Sequence, residues 1–523
     1  MPASLAIVNA NIITLNPKQP KATAVALQNG HIIAVGSNGQ IRKHVGNGTR
    51  VIDAKDKTVV PGLVDCHVHM TELGFFLQRP DLKDTRSIKQ MQQKLREHAS
   101  KTRGRSWILG GRWDHEKLAE KRYPTRWDLD VVLPERPVFL VRVCGHIGVA
   151  NTEALRQAGI TKDTAVEGGK IELDRAAGQP NGILKENAMH LIWKVVPKPS
   201  LEVLEEVSLQ ACTKAVEAGL TGVHWIVEST DEIQAIKNLD SKGKLPLRVH
   251  LGIPPKLLNN SATLHLPTNP SNSMVKLGFV KLFADGSLGS RTAALKEPYA
   301  DEPTSKGLLL HPKKKLCQLV LNAHKAGLQV AVHAIGDYAI ETVLDAYEEA
   351  LKQFPLKNHR HRIEHCSVLN PELIGRMKNL NLTASVQPHF VVSDFWLVDR
   401  LGKERARWTY PFKTLMKKGV VVTSGSDGPI EPISPLLGIW AAAATRSSNE
   451  NLTVKEALET YTLNAAYSSF DDDKKGTIEV GKLADLTVLS DDLLSTQPDM
   501  IKKVAVEMTA VNGKVVYAHE GFS

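Results

Sequence analysis

At 523 residues the chain is longer than one ordinary domain, and 42% hydrophobic with 23% charged residues is the composition of a globular protein able to bury a large core without disulfide staples. The net charge, 66 − 56 = +10, would point to nucleic acid only if basic residues clustered among aromatics; here Lys and Arg are spread along the chain and aromatics make up 5%. No window approaches the roughly 18 uninterrupted apolar residues of a membrane helix, so neither nucleic acid nor a membrane is an expected partner.

Residues 4–60 alternate apolar and polar positions between frequent turn signals, with Gln28-Asn29-Gly30 a hairpin turn, and read as short strands. Residues 63–68 follow as a buried strand ending in His67-Val68-His69. From 72 to about 200 the chain leaves this pattern, with strand-like pieces of its own at 107–110 and 138–143. Strand-like runs then return at 222–226, 247–251, 280–283, 329–333, 361–365, 383–386 and 420–423, separated by helical patterns such as 204–218, 316–326, 339–353 and 371–379. Lys313-Lys314-Lys315 reads as a solvated loop or helix start, and 471–475 as a charged surface loop. Strands return at 484–489, 504–511 and 514–517.

Eight strands, most followed by a crossover-length connection, predict an α/β fold: a closed (β/α)₈ TIM barrel. An open doubly wound sheet is the runner-up, but no Gly-x-Gly-x-x-Gly opens a helix after a strand. The expected domains are a small β-sandwich from 1–60 and 476–523, a barrel from 61–71 and 201–475, and an insertion, 72–200, capping the barrel mouth.

The chemistry gathers at strand ends. Side chains of a strand alternate faces, so His67 and His69 point the same way, and two imidazoles on one face suit a zinc-type divalent metal. Lys281 and Asp285 lie at the end of the fourth strand, His333 at the fifth, Glu364-His365 at the sixth, and Asp427 follows the eighth. Each has a bland reading: a lone histidine is more often a satisfied polar residue than a ligand, and an Asp before Gly is often a turn residue. Jointly they fall where barrel strands converge on one mouth. Five cysteines, at 66, 144, 212, 317 and 366, form no Cys-x-x-Cys pair; this fits buried thiols in a reducing compartment, and with no basic region at the N-terminus the expectation is a cytoplasmic protein. Cys66 alternates to the face opposite His67 and reads as inert packing.

The motifs 60–69 (VPGLVDCHVH), 111–114 (GRWD), 144–151 (CGHIGVAN), 280–293 (VKLFADGSLGSRTA), 332–337 (VHAIGD), 362–365 (RIEH), 424–427 (SGSD) and 476–485 (GTIEVGKLAD) occur in order. With them the chain resembles the amidohydrolase superfamily of metal-dependent hydrolases, in the branch of N-substituted formamide deformylases and YtcJ-like proteins. The resemblance implies that His67 and His69 hold one Zn²⁺-type ion and that His333 and His365 hold a second. It also implies that Lys281, carbamylated by CO₂, bridges the two; an unmodified Lys281 implies a mononuclear site. Asp427 would bind metal and move the proton from the attacking water to the leaving nitrogen of a small amide or formamide. His146 would contact the substrate or the tetrahedral oxygen, with Trp113 and Asp114 beside the substrate. Asp285, Arg291, Gln387 and His389 would orient ligands or substrate, Arg291 as a carboxylate clamp unless it pairs with a protein carboxylate. His224, inside the second strand, reads as structural. Alternatives are a mononuclear deaminase or cyclic-amide hydrolase, and a non-catalytic binding or regulatory member. A homodimer is the expectation from family habit.

Overall fold

The computed structural model describes residues 2–101, 106–143, 147–166, 169–258, 266, 273–445 and 449–522. The chain divides into two compact units, Met1–Leu73 with Leu204–Ser523, and Gly74–Val203.

The first unit is built on eight parallel strands hydrogen-bonded in chain order. They are β1 (Leu63–Val68), β2 (Leu220–Ile226), β3 (Arg248–Ile253), β4 (Val275–Phe283), β5 (Gln329–Ala334), β6 (Arg362–His365), β7 (Thr383–Val386) and β8 (Val421–Ser424). Every residue of β1, β2, β6 and β7 is buried, as expected of strands covered on both faces. The outer strands meet just past the ladder: Asp427 N donates to His67 O at 2.7 Å, and His69 N donates to Gly428 O at 2.9 Å. Gly425 is required at this seam, because a Cβ there would lie 2.5 Å from His67 N. The sheet is therefore almost a closed barrel.

Helices Lys313–Lys325, Asp337–Gln353 and Pro371–Asn379 fall between consecutive strands and turn apolar stripes inward. Lys313 opens the first of these and pairs with Asp345 at 2.6 Å. The chain ends contribute two further sheets. One orders His31–Gly36, Ala24–Gln28, Leu5–Val8 and Arg50–Asp53; in the other, Leu486–Leu489 pairs antiparallel with Thr58–Pro61, joining the two ends of the chain. Ile7, Val25, Ile12, Val59, Val488 and Met508, from both sheets, share one apolar cluster.

The second unit carries a five-stranded sheet in the order Gly169–Leu173, Pro180–Glu186, Ile147–Ala150, Val138–Arg142 and Ile108–Trp113. Asn151 serves this sheet by accepting from Val138 N and Ala154 N and donating to Leu133 O and Arg136 O, so a single buried amide joins a strand, a helix N-terminus and two turns. Among the described residues no helix is long and apolar enough to cross a membrane.

Within the barrel Phe279 is fully buried against Ile226 and Ala331, with the Arg362 guanidinium 4.6 Å from its ring centroid. Phe279→Ala should cost about 3–5 kcal/mol through lost burial and the cavity left behind, read as a lower urea midpoint. An unchanged midpoint would show that the barrel interior is not packed as described.

Candidate metal centre

Asp65, His67 and His69 occupy alternate positions at the end of β1, while Cys66 turns outward against Val64 and Ala465. Burial pushes the Cys66 thiol up to about 12, consistent with packing rather than reactivity. Asp65 accepts from His67 N at 3.0 Å and from Ser426 N at 3.1 Å, which ties the end of β1 to the turn after β8. Burial raises its pKa to about 6, against the hydrogen bonds that favour its charge.

His67 Nδ1 lies 2.5 Å from Glu364 Oε2. The other carboxylate oxygen accepts from Arg362 Nε at 2.8 Å. Burial alone would raise the Glu364 pKa, but Arg362 and His67 outweigh it and hold the group ionised. An ionised carboxylate only accepts, so His67 donates from Nδ1 to Glu364, and Nε2 is the ring nitrogen turned toward Asp427 and Lys281. Nε2 is 3.3 Å from Asp427 Oδ1 and 3.3 Å from Lys281 Nζ, and His69 Nε2 is likewise 3.3 Å from Asp427 Oδ1. The His365 ring is centred 5.0 Å from that of His67 and 4.3 Å from that of His333.

Ligand atoms of His67, His365 and Asp427 all lie within 4.8 Å of one another. His365 Nδ1 is buried with no hydrogen-bond partner among the described residues. Asp427 and His365 both adopt left-handed backbone, at φ 56° and 73°. That conformation is costly for residues other than glycine and is found where surroundings impose it, often at ligand sites. Burial tends to raise the Asp427 pKa, but the His67, His69 and His365 imidazoles prevail and hold it well below the usual carboxylate range. Two imidazoles and an ionised carboxylate, one of them carrying an orphaned lone pair, fit a divalent ion of borderline softness.

Lys281 is buried at the end of β4, its Nζ against His67 Nε2 and 4.8 Å from the Phe283 ring centroid, with no carboxylate within 4 Å among the described residues. Burial brings its pKa down to about 8. His333 is turned aside: its Nε2 meets Gly286 O at 3.0 Å and lies 3.5 Å from Asp285 Oδ1, and burial lowers its pKa to about 3. Neither His69 nor His333 belongs to the tight three-residue cluster; both stand on its rim.

The remaining candidates are placed as follows. Asp285 is buried and accepts from Ala294 N at 2.9 Å, Ile335 N at 3.0 Å and Gly336 N at 2.9 Å, pinning the loop after β4 to the loop after β5; burial pushes it up to about 7. Arg291 pairs with Asp301 at 2.9 Å and Glu302 at 3.3 Å. Gln387 is buried, with Oε1 lacking a partner among the described residues, and His389 Nδ1 lies 2.5 Å from Glu431 Oε2. In the second unit Trp113 is a core residue donating its indole N–H to Leu140 O at 2.9 Å, and Asp114 pairs with Arg142 at 2.8 Å. His146 lies outside the described residues.

Sequence reasoning passed over Glu364, Arg362 and Asp65 as groups with tasks of their own. Asp65 was legible in principle, since it precedes His67 by two and so shares its face. Glu364 was not, because strand alternation puts it and His365 on opposite faces, and only the left-handed φ at His365 brings both to the centre.

A parallel barrel whose strand ends gather imidazoles, a lysine and a carboxylate around one point is the architecture of a metal-dependent enzyme. Residues 50–517 match the amidohydrolase family, and the chain belongs to that family. It is 36% identical to YtcJ of Bacillus subtilis (strain 168), over 97% of this chain and 98% of that one. It is 28% identical to the N-substituted formamide deformylase of Arthrobacter pascens, over 99% of each. The crystal structure of an uncharacterized metal-dependent hydrolase from Pyrococcus furiosus is 33% identical and superposes with a TM-score of 0.81, covering 94% of this chain and 100% of that one.

Glu364→Gln keeps the size of the side chain but removes the charge that orients the His67 ring. Zinc affinity, measured by chelator competition on the folded protein, should fall about 10–100-fold. Unchanged affinity would mean that Glu364 does not orient His67.

Proposed function

We propose that this amidohydrolase-family hydrolase cleaves the C–N bond of a small amide or formamide at the centre formed by His67, His69, Lys281, His333, His365 and Asp427. The observation that carries this reading is the convergence of the His67, His365 and Asp427 ligand atoms within 4.8 Å. The resemblance to an N-substituted formamide deformylase along the whole chain supports the choice of bond.

His67 and His69 would hold one ion, and His333 and His365 a second, with Lys281 as the bridge once carbamylated. A buried ammonium with no carboxylate beside it is costly. Addition of the neutral amine to CO₂, with loss of one proton, turns that cation into an anionic ligand. When bound, divalent zinc-type ions supply a Lewis acid that acidifies water to a pKa of roughly 7 and polarises a carbonyl. The protein's part is proton transfer and orientation. Asp427, ionised and beside both His67 and His69, takes a proton as water oxygen adds to the carbonyl carbon, and gives it to the nitrogen as the C–N bond breaks. One amide and one water yield one carboxylic acid and one amine. Glu364 keeps His67 Nε2 aimed inward, and Asp285 holds the loop that follows His333 at the end of β5.

A second reading has its own observation. Among the described residues three form the tight cluster, and His333 Nε2 is engaged with Gly286 O, which favours a mononuclear centre of the deaminase or cyclic-amide hydrolase type. Metal content decides between them: two ions per chain with acid-released CO₂ support the first, one ion without CO₂ the second.

Turnover should appear on a panel of N-formyl and N-acyl amines with zinc and bicarbonate present; bound metal without turnover of any member would overturn the amide reading. Asp427→Asn should retain folding and lower kcat by about 10²–10⁴-fold, the usual worth of positioned proton transfer. Near-wild-type turnover would remove Asp427 from that role. Lys281→Ala should lose one metal by elemental analysis, partly restored by a short-chain carboxylate; unchanged metal content would exclude the bridge.

A further inference from the structure

Away from the metal centre, where β5 and β6 begin, three further histidines form a chain that hydrolysis does not use. His324 comes from the last turn of helix Lys313–Lys325, His361 immediately precedes β6, and His359 lies two residues earlier. All three are buried. His361 is at the centre, its ring 5.1 Å from that of His324 and 4.5 Å from that of His359.

The direction of each hydrogen bond is fixed by groups that have no choice. A backbone N–H only donates. Val330 N, in β5, donates to His361 Nδ1 at 3.1 Å, and His361 N donates to His359 Nδ1 at 2.9 Å, so both Nδ1 atoms hold lone pairs. A carbonyl only accepts, so His324 Nε2, 2.7 Å from Phe354 O, carries a proton. His361 Nε2 lies 2.9 Å from His324 Nδ1. It is the nitrogen left for the proton of its ring, and it donates to His324. Phe354 ends helix Asp337–Gln353, so His324 also satisfies a carbonyl that the helix leaves open. His359 bonds onward to the backbone of Leu380, just past helix Pro371–Asn379.

Such a chain is complete only when all three rings are neutral. A second proton on His361 or His359 would have to sit on Nδ1, against a backbone N–H. A second proton on His324 would face the N–H of His361. Nothing nearby compensates an imidazolium. The titratable groups facing His361 are His324, His359 and Tyr347, whose ring stacks at 5.2 Å and whose hydroxyl is spent on Val330 O and Arg362 O. Arg360, beside it in the chain, pairs with Asp472 at 2.6 Å, and Lys325 lies over the Phe354 ring at 4.4 Å. Among the described residues no carboxylate lies within 4 Å of any of the three rings.

We propose that His324, His361 and His359 form an acid-released latch, which ties helix Lys313–Lys325 to the starts of β5 and β6 while the rings are neutral and opens when one is protonated. The latch is independent of the reaction proposed above, although β5 and β6 carry His333 and His365 towards their other ends. Burial holds His361 well below its ordinary pKa and brings His359 down to about 4. The closed form therefore binds fewer protons than the open one. Its stability is fully present above the ordinary histidine pKa of about 6.5 and is lost progressively as pH falls below it.

His224 and His250 are also buried with lowered pKa and add to any acid sensitivity of the whole chain, so the test is local. Amide exchange of the zinc-loaded full chain, resolved to single residues by mass spectrometry and corrected for the intrinsic pH dependence of exchange, reads the latch at Val330 and His361. From pH 7 to pH 5 the protection of both amides should fall about 25-fold for each histidine freed on opening, the change in protonation expected of an ordinary imidazole. In His361→Asn the side-chain oxygen stands in for Nδ1, accepts from Val330 N and does not titrate, so Val330 should keep its protection at pH 5. Equal protection at pH 7 and pH 5 in the wild type, or the same loss at Val330 in the wild type and in folded His361→Asn, would overturn the proposal. If His361→Asn does not fold, His359→Asn carries the same test at the His361 amide.

Discussion

The hydrogen bond between His67 Nδ1 and Glu364 Oε2 is the contact on which the metal centre depends. It joins residues 297 positions apart and is buried at both ends. Glu364 is kept charged there because Arg362, two residues earlier on the same strand face, satisfies its second oxygen. Arg362 itself is fully buried and spends its remaining donors on Cys66 O at 2.6 Å, Ser385 Oγ at 3.1 Å and His224 Nδ1 at 2.7 Å. One guanidinium thus binds β1, β2, β6 and β7 from inside the barrel. Burying such an ion pair is weak evidence of added stability, since desolvation can exceed the attraction gained. What it gives here is orientation: the planar fork of Arg362 fixes Glu364, Glu364 takes the Nδ1 proton of His67, and His67 Nε2 is then turned toward Asp427 and Lys281.

Much of the architecture was legible because the barrel strands are buried on both faces and read as short apolar runs at crossover spacing. Where the reading fell short, the missing information was tertiary. The fourth strand was read at 280–283 and spans Val275–Phe283. Its first half contains Lys276 and Gly278, poor strand formers in isolation; Lys276 is satisfied by Asp471, and Gly278 makes room for the His250 ring. The site followed the same pattern. His67, His69, Lys281, His365 and Asp427 announced themselves by falling at strand ends, and the structure gathers them. Trp113 and Asp114 looked functional because they sit in a motif, and what alternation cannot reveal is that one fills a core and the other answers Arg142. Arg291 offered two partners in sequence, a substrate carboxylate or a protein one, and Asp301 lies ten residues on, beyond what local spacing specifies.

The two ends of the barrel differ in a way that follows from strand direction. The C-terminal ends carry the candidate ligands of a cation and leave lone pairs facing one another. The N-terminal ends carry Arg248 and Lys276, joined by Lys474, Lys475 and Asp471 around a cavity that His224 and His250 also line. Arg362 lies between them, in contact with Glu364 on one side and His224 on the other. A change in how His224 is held therefore bears on the same guanidinium that orients the metal-side carboxylate, by a path of two hydrogen bonds.

The metal side also bears on whether the chain is an enzyme or a binding protein that has kept the scaffold. A barrel kept only as a scaffold has no use for left-handed backbone at both His365 and Asp427, which costs of order 1–3 kcal/mol at each residue. Nor does it gain from a lysine buried with no carboxylate within 4 Å, or from a buried imidazole nitrogen left bare, among the described residues. Each of these is unfavourable for folding alone. Glycine at 427 or an apolar residue at 281 would relieve it without disturbing the strand ladder, since neither side chain takes part in the sheet's hydrogen bonds. Left-handed backbone and bare polar atoms occur elsewhere in the chain as well, but at His365 and Asp427 the backbone strain coincides with donor atoms that converge. Strain of this kind persists where surroundings over-determine it, and the surroundings here are Asp65, Gly425, Glu364 and Arg362, all of which hold donor-bearing segments in place. That coincidence of strained backbone with converging donors, held by their neighbours, is what a site shaped to bind a cation requires.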